Sequence, residues 1–473
     1  MADRVDGALS ELTGERLELG LGRTAKLICS AAFVVGRDVD AFIRDDLLTG
    51  DEAVLPWREI DVRVDRDRRT VTLAGPGGVS RSARYHPGQG CTILPPGRDD
   101  VYYAPTPVVP DLPDAATTPW PLGDLLPDEP PPGVDEERLS ATLDAALDDA
   151  RWPAPMRTRG LVVCHRGRLL AERYAPGFDK DTRQICWSAG KSITAALIGV
   201  LVRQGHFGVD DPAPIAEWRG AGDPRGRITI RHLLNMSSGL ECSNAQDDPR
   251  LTWTYRDCHG LIYTAPIDVF AHAIGRPPEH PPNTVWRYRN CDPLSLGLIV
   301  RRTVEARGEV YLTFPQRALF DRIGMRSMVL EPDPWGNFIM TGFEYGTPRD
   351  WARFGLLHLW DGLWRPTGER VLPEGWARLV ATPATAAPDP IYAGRFAAGH
   401  YGGQFWLNAG GRWPGVPRDA YWAAGAAGQI CLVIPSRDAV LVRMGHTVGA
   451  ARDHADAYYD AVFGAILAAL GGE

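Results

Sequence analysis

Lysine is nearly missing from this 473-residue chain: Lys26, Lys180 and Lys191 are its only lysines among 51 basic residues. Wherever a plain positive charge serves, the chain uses arginine. Arginine stays protonated in a protein, whereas a desolvated lysine can fall toward neutrality and accept a proton. Other absences exclude whole classes of function. No run of about 20 apolar residues is present to span a bilayer, and Met1 to Ser10 hold no apolar leader core. As written the chain reads as cytoplasmic, or as periplasmic or secreted if a signal peptide was removed. Eight cysteines lie scattered, with no C-x-x-C pair and no metal-ligand spacing. Cys29 with Cys91, or Cys242 with Cys258, could pair in an oxidising compartment. A net charge of -8 gives no basic field for nucleic acid or an anionic membrane. These absences leave a small-molecule substrate, with no metal and no cofactor required; the oligomeric state is not legible.

What is present begins with length. The chain is long enough for two or three domains, and its 44% hydrophobic content supplies ample core. The stretch Trp187-Ser188-Ala189-Gly190-Lys191-Ser192 runs into apolar residues from Ile193 to Val202 and stops at Gly205. Apolar side chains on every turn predict a helix buried all round, with Ser188 at its N-terminal capping position and Gly205 as C-cap. Lys191 then sits one turn beyond Ser188 on the same face, buried, in a chain that reserves lysine for few places. Within one turn its amine can reach the serine oxygen and take its proton, making Ser188 a nucleophile. The helix N-terminus adds free N–H groups and partial positive charge for a developing oxyanion.

S-x-x-K at the head of a buried helix resembles the first motif of the serine β-lactamase and penicillin-binding-protein superfamily. Trp-Ser-Ala-Gly-Lys-Ser-Ile-Thr is similar to its class C-related, esterase-like branch, which includes 6-aminohexanoate-dimer hydrolases. The resemblance runs from about residue 135 to the C-terminus. It implies an α/β fold: an antiparallel sheet flanked by helices, a mostly helical lobe over about 206–370, and here an added small N-terminal α/β domain.

The order of segments fits that layout. Residues 1–104 form the accessory domain, with helix expected over Thr24 to Asp46 and a hairpin of Ile60–Asp65 with Thr70–Leu73. This domain could cap the site, make a subunit contact or cover one face of the hydrolase domain, and structural cover is the expectation. Ten prolines between Ala104 and Pro132 mark 105–133 as a connector, and 134–473 is the hydrolase domain. Val134 to Asp149 reads as an amphipathic helix and Gly160 to Tyr174 as a hairpin turning at Arg166-Gly167. Ile228 to Leu240 is similar to a structural helix-and-turn signature, with His232 packed or capping. Cys242 to His280 reads as a long loop with a helix near Ile267 to Ile274; Trp253, Tyr255 and Tyr263 are candidate pocket walls. Thr341 to Gly362 reads as an N-capped helix with proline at N1. His400–Leu407, Tyr421–Pro435 and Ala439–Met444 read as three strands, followed by a helix from Ala451 to Leu470.

Tyr288-x-Asn290, about 100 residues after Ser188 and followed by an apolar helix, resembles the superfamily's second motif. By that resemblance Tyr288 relays protons to the leaving group, its pKa lowered by the neighbouring ammonium, and Asn290 bonds the substrate or Lys191. The third motif, K-T-G or H-T-G, falls in register on Ala423-Ala424-Gly425, where the glycine is present and the cation is absent. Gly425 borders the substrate, and the N–H of Ala426 joins that of Ser188 in the oxyanion hole. His446 is a candidate replacement for the lost cation. Loss of the lysine that binds a substrate carboxylate disfavours β-lactamase and D-peptidase activity. The expectation is a serine hydrolase cleaving an ester or linear amide through an acyl-enzyme on Ser188, with Lys191 as general base. An acyltransferase or peptide cyclase using the same residues, or a catalytically silent binding protein, are the alternatives.

Overall fold

The computed structural model describes residues 14–127, 133–243, 258–392 and 399–471. Helix α1 (Glu15–Ser30) opens the chain earlier than expected and continues as a wider turn over Ala31–Val35, ended by Gly36 at φ 81°. It lies on a four-stranded antiparallel meander, β1 (Asp61–Asp65), β2 (Thr70–Ala74), β3 (Ser80–His86) and β4 (Gly90–Ile93). The expected hairpin is β1–β2, with Val62 opposite Leu73 and Val64 opposite Val71.

Helix α2 (Glu136–Leu147), capped by the Asp135 carboxylate, follows the proline-rich stretch. The hairpin β5 (Thr158–His165) and β6 (Arg168–Tyr174) comes next, then β7 (Gln184–Ile185) and the nucleophile helix α3 (Gly190–Arg203). Every residue of α3 from Gly190 to Leu201 is buried, as its all-round apolar pattern requires. Cys258–Thr264 forms α4, Cys291–Ala306 α5, Glu344–Gly346 strand β8 and Pro348–Leu359 α6. Helix α6 carries the expected proline start and a Thr347–Asp350 capping box. His232 likewise caps its helix in a reciprocal pair with Thr229.

The main sheet takes its last strands from the C-terminus: β9 (Trp406–Leu407), β10 (Tyr421–Gly425), β11 (Gln429–Ile434) and β12 (Ala439–Gly445), with spatial order β9-β10-β11-β12-β5-β6, all antiparallel. Tyr421–Pro435 is therefore two strands joined by a turn at 426–428, and only the last two residues of His400–Leu407 pair as strand. Alternation splits the sheet between two cores. Leu161, Val163, Leu432 and Leu441 face α2 and the terminal helix α7 (Ala455–Ala469). Val162, Cys164, Val433 and Val442 face α3 and α6. Cys242 is disulfide-bonded to Cys258, whereas Cys29 and Cys91 are buried free thiols. Trp253 and Tyr255 lie outside the described residues.

Helix α1 is fastened to the rest by a buried ion pair. Lys26 meets the Glu331 carboxylate, which also accepts from Ser30 Oγ (2.8 Å) and the Cys91 N–H (2.7 Å). Burial pushes the lysine pKa down and the glutamate pKa up. Removing one partner of such a pair leaves an uncompensated buried charge. Lys26→Met should therefore lower the unfolding free energy by about 3–5 kcal/mol, read from urea denaturation of the full chain; a loss below about 1 kcal/mol would mean that the pair does not hold the N-terminal unit.

Candidate active site

The site is built where α3 begins. Trp187 adopts φ 49°, a left-handed conformation rare for a bulky residue, and Trp187–Ala189 forms a single tight turn before α3. Ser188 is therefore not a side-chain cap, and the N-cap residue, Ala189, makes no side-chain bond. The tight turn instead presents the Ser188 hydroxyl to Lys191, whose Nζ is 2.9 Å from Oγ. The Thr341 carbonyl gathers three donors around this pair: Lys191 Nζ (3.2 Å), Ser188 Oγ (3.4 Å) and Tyr263 OH (2.6 Å).

Lys191 is 1% exposed. Its pKa falls to about 7 because burial penalises the ammonium, with Glu344 opposing the fall. Near neutral pH much of it is a free amine, and the 2.9 Å contact can carry the serine proton to nitrogen. Tyr288 stands across the cleft, with its ring centroid 4.9 Å from Lys191 Nζ and its hydroxyl bonded to Ser188. The expectation of an acidified tyrosine is corrected here. Burial drives the Tyr288 pKa up, more than the Ser188 bond lowers it. Tyr288 is thus a protonated phenol at neutral pH, since the lysine that was to acidify it is itself half neutral.

Asn290 bonds to side chains of helix α4. Its Nδ2 lies 2.9 Å from Tyr263 OH and 3.4 Å from His259 Nε2, while its buried Oδ1 meets no partner among the described residues. The Nδ2 donates to these two groups rather than to Lys191. Burial, then the charges of Lys191 and Arg23, hold the His259 pKa near 3, so the imidazole is neutral. The ring of Tyr263 stacks edge-on against Trp187, His259 and Phe343. Trp406 and Tyr401 line the side occupied by Tyr288.

Gly425 ends β10 hard against the nucleophile turn, where a Cβ would overlap the Cys186 carbonyl oxygen. The exposed Ala426 follows and opens the turn 426–428, in which Ala427 has φ 59°. Fully buried Arg443 ties this turn from behind, donating to the Ala427 (3.2 Å) and Gly428 (2.8 Å) carbonyls. His446 does not replace the missing cation. Its Nε2 lies 3.1 Å from the Asp46 carbonyl and 3.3 Å from Thr49 Oγ1, so it is committed to the N-terminal unit.

The largest element missed in the sequence is Glu344. Strand β8 pairs with β7, and the Cys186 N–H donates to the Glu344 carbonyl at 2.7 Å. This places a fully buried carboxyl under the nucleophile helix, with no side-chain hydrogen-bond partner among the described residues. Gly190 makes room for it, because a Cβ at that position would overlap the carboxyl group. Burial holds the Glu344 pKa well above the carboxylate range against the pull of Lys191. The available signal was an acid inside the apolar run Ile339 to Tyr345, paired with a glycine inside S-x-x-K.

Fold and site together define a hydrolase of the serine type on a β-lactamase/transpeptidase-like scaffold. A family model described as Beta-lactamase matches residues 153–465, and the chain belongs to that family. It is 25% identical over 339 residues to a 6-aminohexanoate-dimer hydrolase of Paenarthrobacter ureafaciens, covering 68% of this chain and 83% of that one. Among solved structures, it resembles a putative 6-aminohexanoate-dimer hydrolase from Bacillus anthracis at 20% identity, with TM-score 0.54 and coverage of 72% and 86% of the two chains. It also resembles a penicillin-binding protein homologue from Caulobacter crescentus at 14% identity, with TM-score 0.52 and coverage of 72% and 98%.

Where Glu344 is ionised, its charge raises the Lys191 pKa against burial. Replacing it by its neutral isostere in Glu344→Gln should let the lysine fall further, moving the acid limb of the kcat/KM profile to lower pH. In the parent enzyme the limb is expected near pH 7, and an unchanged limb in a folded Glu344→Gln enzyme would sink this assignment.

Proposed function

We propose that the protein hydrolyses short esters or linear amides through an acyl-enzyme on Ser188. The observation that carries this reading is the 2.9 Å contact between Ser188 Oγ and a buried lysine whose pKa lies near 7. Lys191 as free amine takes the Ser188 proton while Oγ bonds to the substrate carbonyl carbon. The carbonyl oxygen becomes an oxyanion, for which the N–H groups of Ser188 and Ala426 are the donors. Tyr288, a phenol bonded to Ser188, gives its proton to the departing oxygen or nitrogen, and the Lys191 ammonium restores it. Water then attacks the acyl carbon by the same route in reverse, freeing Ser188 and the acid.

The substrate class follows from what surrounds the nucleophile. Positions 423–428 hold only alanine and glycine, so this strand offers no cation for a substrate carboxylate. Aromatic walls from Trp187, Tyr263, Phe343, Tyr288 and Trp406 favour an acyl group with apolar length. The relative from Paenarthrobacter ureafaciens bears the name of an enzyme acting on a linear amide dimer, which supports including amides.

Exposure to a fluorophosphonate should add one adduct to the intact parent and none to Ser188→Ala. Lys191→Arg, charged at every working pH, should be labelled at least about 100-fold more slowly. On a p-nitrophenyl ester, Ser188→Ala should lose at least about 1000-fold in kcat/KM, whereas Tyr288→Phe should retain more activity on this good leaving group than on an anilide. Equal labelling of parent and Ser188→Ala, measured by intact mass, would overturn the mechanism. Nitrocefin turnover at rates rivalling the ester would overturn the substrate class.

A further inference from the structure

We propose that the cleft between the N-terminal unit and the strand leading to Ser188 is a second binding site, one that takes a medium-chain aliphatic carboxylate. The cleft is open on one side and has a cavity volume of about 60 Å³. Its long walls are apolar: Leu27 and Ala31 from α1 and its extension, Leu47 beyond, and Ile185 and Trp187 from the approach to the nucleophile. Such walls suit a hydrocarbon chain.

Its polar lining fixes the head group. Gln184 lines the cleft and is only 5% exposed, yet neither the oxygen nor the nitrogen of its carboxamide meets a partner among the described residues. A buried amide in that state is unfavourable until a ligand bonds it. Arg37, Arg159 and Arg183 also line the cleft, against the single carboxylate of Asp46. Asp46 is shared by Arg37 (2.6 Å) and Arg159 (2.7 Å), so these two guanidiniums together outweigh it. His446 adds no charge at neutral pH, because burial and then Arg159 hold its pKa near 4. The surplus is positive and includes Arg183, whose Nε donates to the Ser327 carbonyl at 2.6 Å. An anion with an alkyl tail therefore matches the cleft, and an alkylammonium does not. A carboxylate oxygen accepts from the Gln184 amide nitrogen and the guanidiniums, while the tail lies along Leu27, Ala31 and Ile185.

The cleft is distinct from the catalytic pocket but touches it through Trp187, which lines it and precedes Ser188 at φ 49°. An occupant thus leans on the residue that sets the nucleophile's backbone. Binding itself does not depend on the proposed catalysis, and the experiment separates the two. Sodium octanoate is titrated calorimetrically into the full-length Ser188→Ala protein and into parent protein already labelled by a fluorophosphonate, with octylammonium chloride as the charge control. One saturable octanoate site is expected in both preparations, about tenfold or more tighter than octylammonium. Gln184→Leu, which removes only the amide, should weaken octanoate by about tenfold. Ala31→Trp, which fills the cleft, should abolish the site; its thermal transition, compared with the parent's, checks that the variant is folded. The proposal is overturned if no saturable heat is seen, if octylammonium binds as well as octanoate, or if Gln184→Leu binds octanoate as the parent does. Octanoate lost on labelling alone would place it in the catalytic pocket and also overturn the proposal.

Discussion

Lys191 is buried to 1% exposure, and most of the catalytic domain is arranged around that constraint. An ammonium in water has no reason to give up its proton near pH 7; one sealed beneath a helix does. The seal comes from α3, whose turns are apolar on every side and whose start is covered by Tyr288, Thr341 and Phe343. Sealing a lysine alone would overshoot and make it a proton-poor amine that cannot hold what it takes. Glu344 supplies the counterweight. A buried carboxyl beneath the same turn tempers the loss of proton affinity, and its own burial keeps it from becoming a permanent anion. The two groups together present a tuned base.

That arrangement dictates neighbouring residues that do no chemistry. Gly190 must lack a side chain because the Glu344 carboxyl lies against it, and Gly425 must lack one because β10 closes on the Cys186 carbonyl. The N-terminal unit belongs to the same construction. Lys26 lies under the Phe343 ring, 3.4 Å from its centroid, and Arg23 lies over Trp187 at 5.1 Å. Helix α1 thus braces both residues that flank the catalytic cluster from behind. This is more than the surface cover that its sequence suggested, because the rear wall of the site is shared between the two units.

How much of this was legible depended on whether the chemistry resides in a side chain of distinctive type. Ser188 and Lys191 stood out because lysine is rare here and the helix pattern forces burial. Tyr288 and Asn290 stood out by spacing, and Gly425 by register. The Thr341 carbonyl could not be read, since every residue has one and only the fold decides which carbonyl meets an amine. Glu344 was hidden because a lone acid in an apolar run resembles a surface residue until β8 is paired with β7. The pKa of Tyr288 was misjudged by assuming its neighbour to be charged, although the same burial that frees the lysine removes that charge. The split of Tyr421–Pro435 into two strands escaped notice because Ala-Ala-Gly-Ala-Ala-Gly lacks the usual polar turn residues.

That alanine- and glycine-rich turn also bears on specificity. No cation stands on β10, and the buried Arg443, on β12 two strands away, is fully engaged. Its nitrogens donate to the Met156, Ala427 and Gly428 carbonyls and to the hydroxyls of Thr158 and Thr447. A guanidinium so occupied cannot turn to a ligand without leaving several buried acceptors unbonded. Its work is mechanical: it holds the turn so that the backbone after Gly425 keeps its place beside the nucleophile. What stands beside the nucleophile at this edge is thus rigid backbone without a side-chain charge, facing the cluster of Trp187, Tyr263 and Phe343.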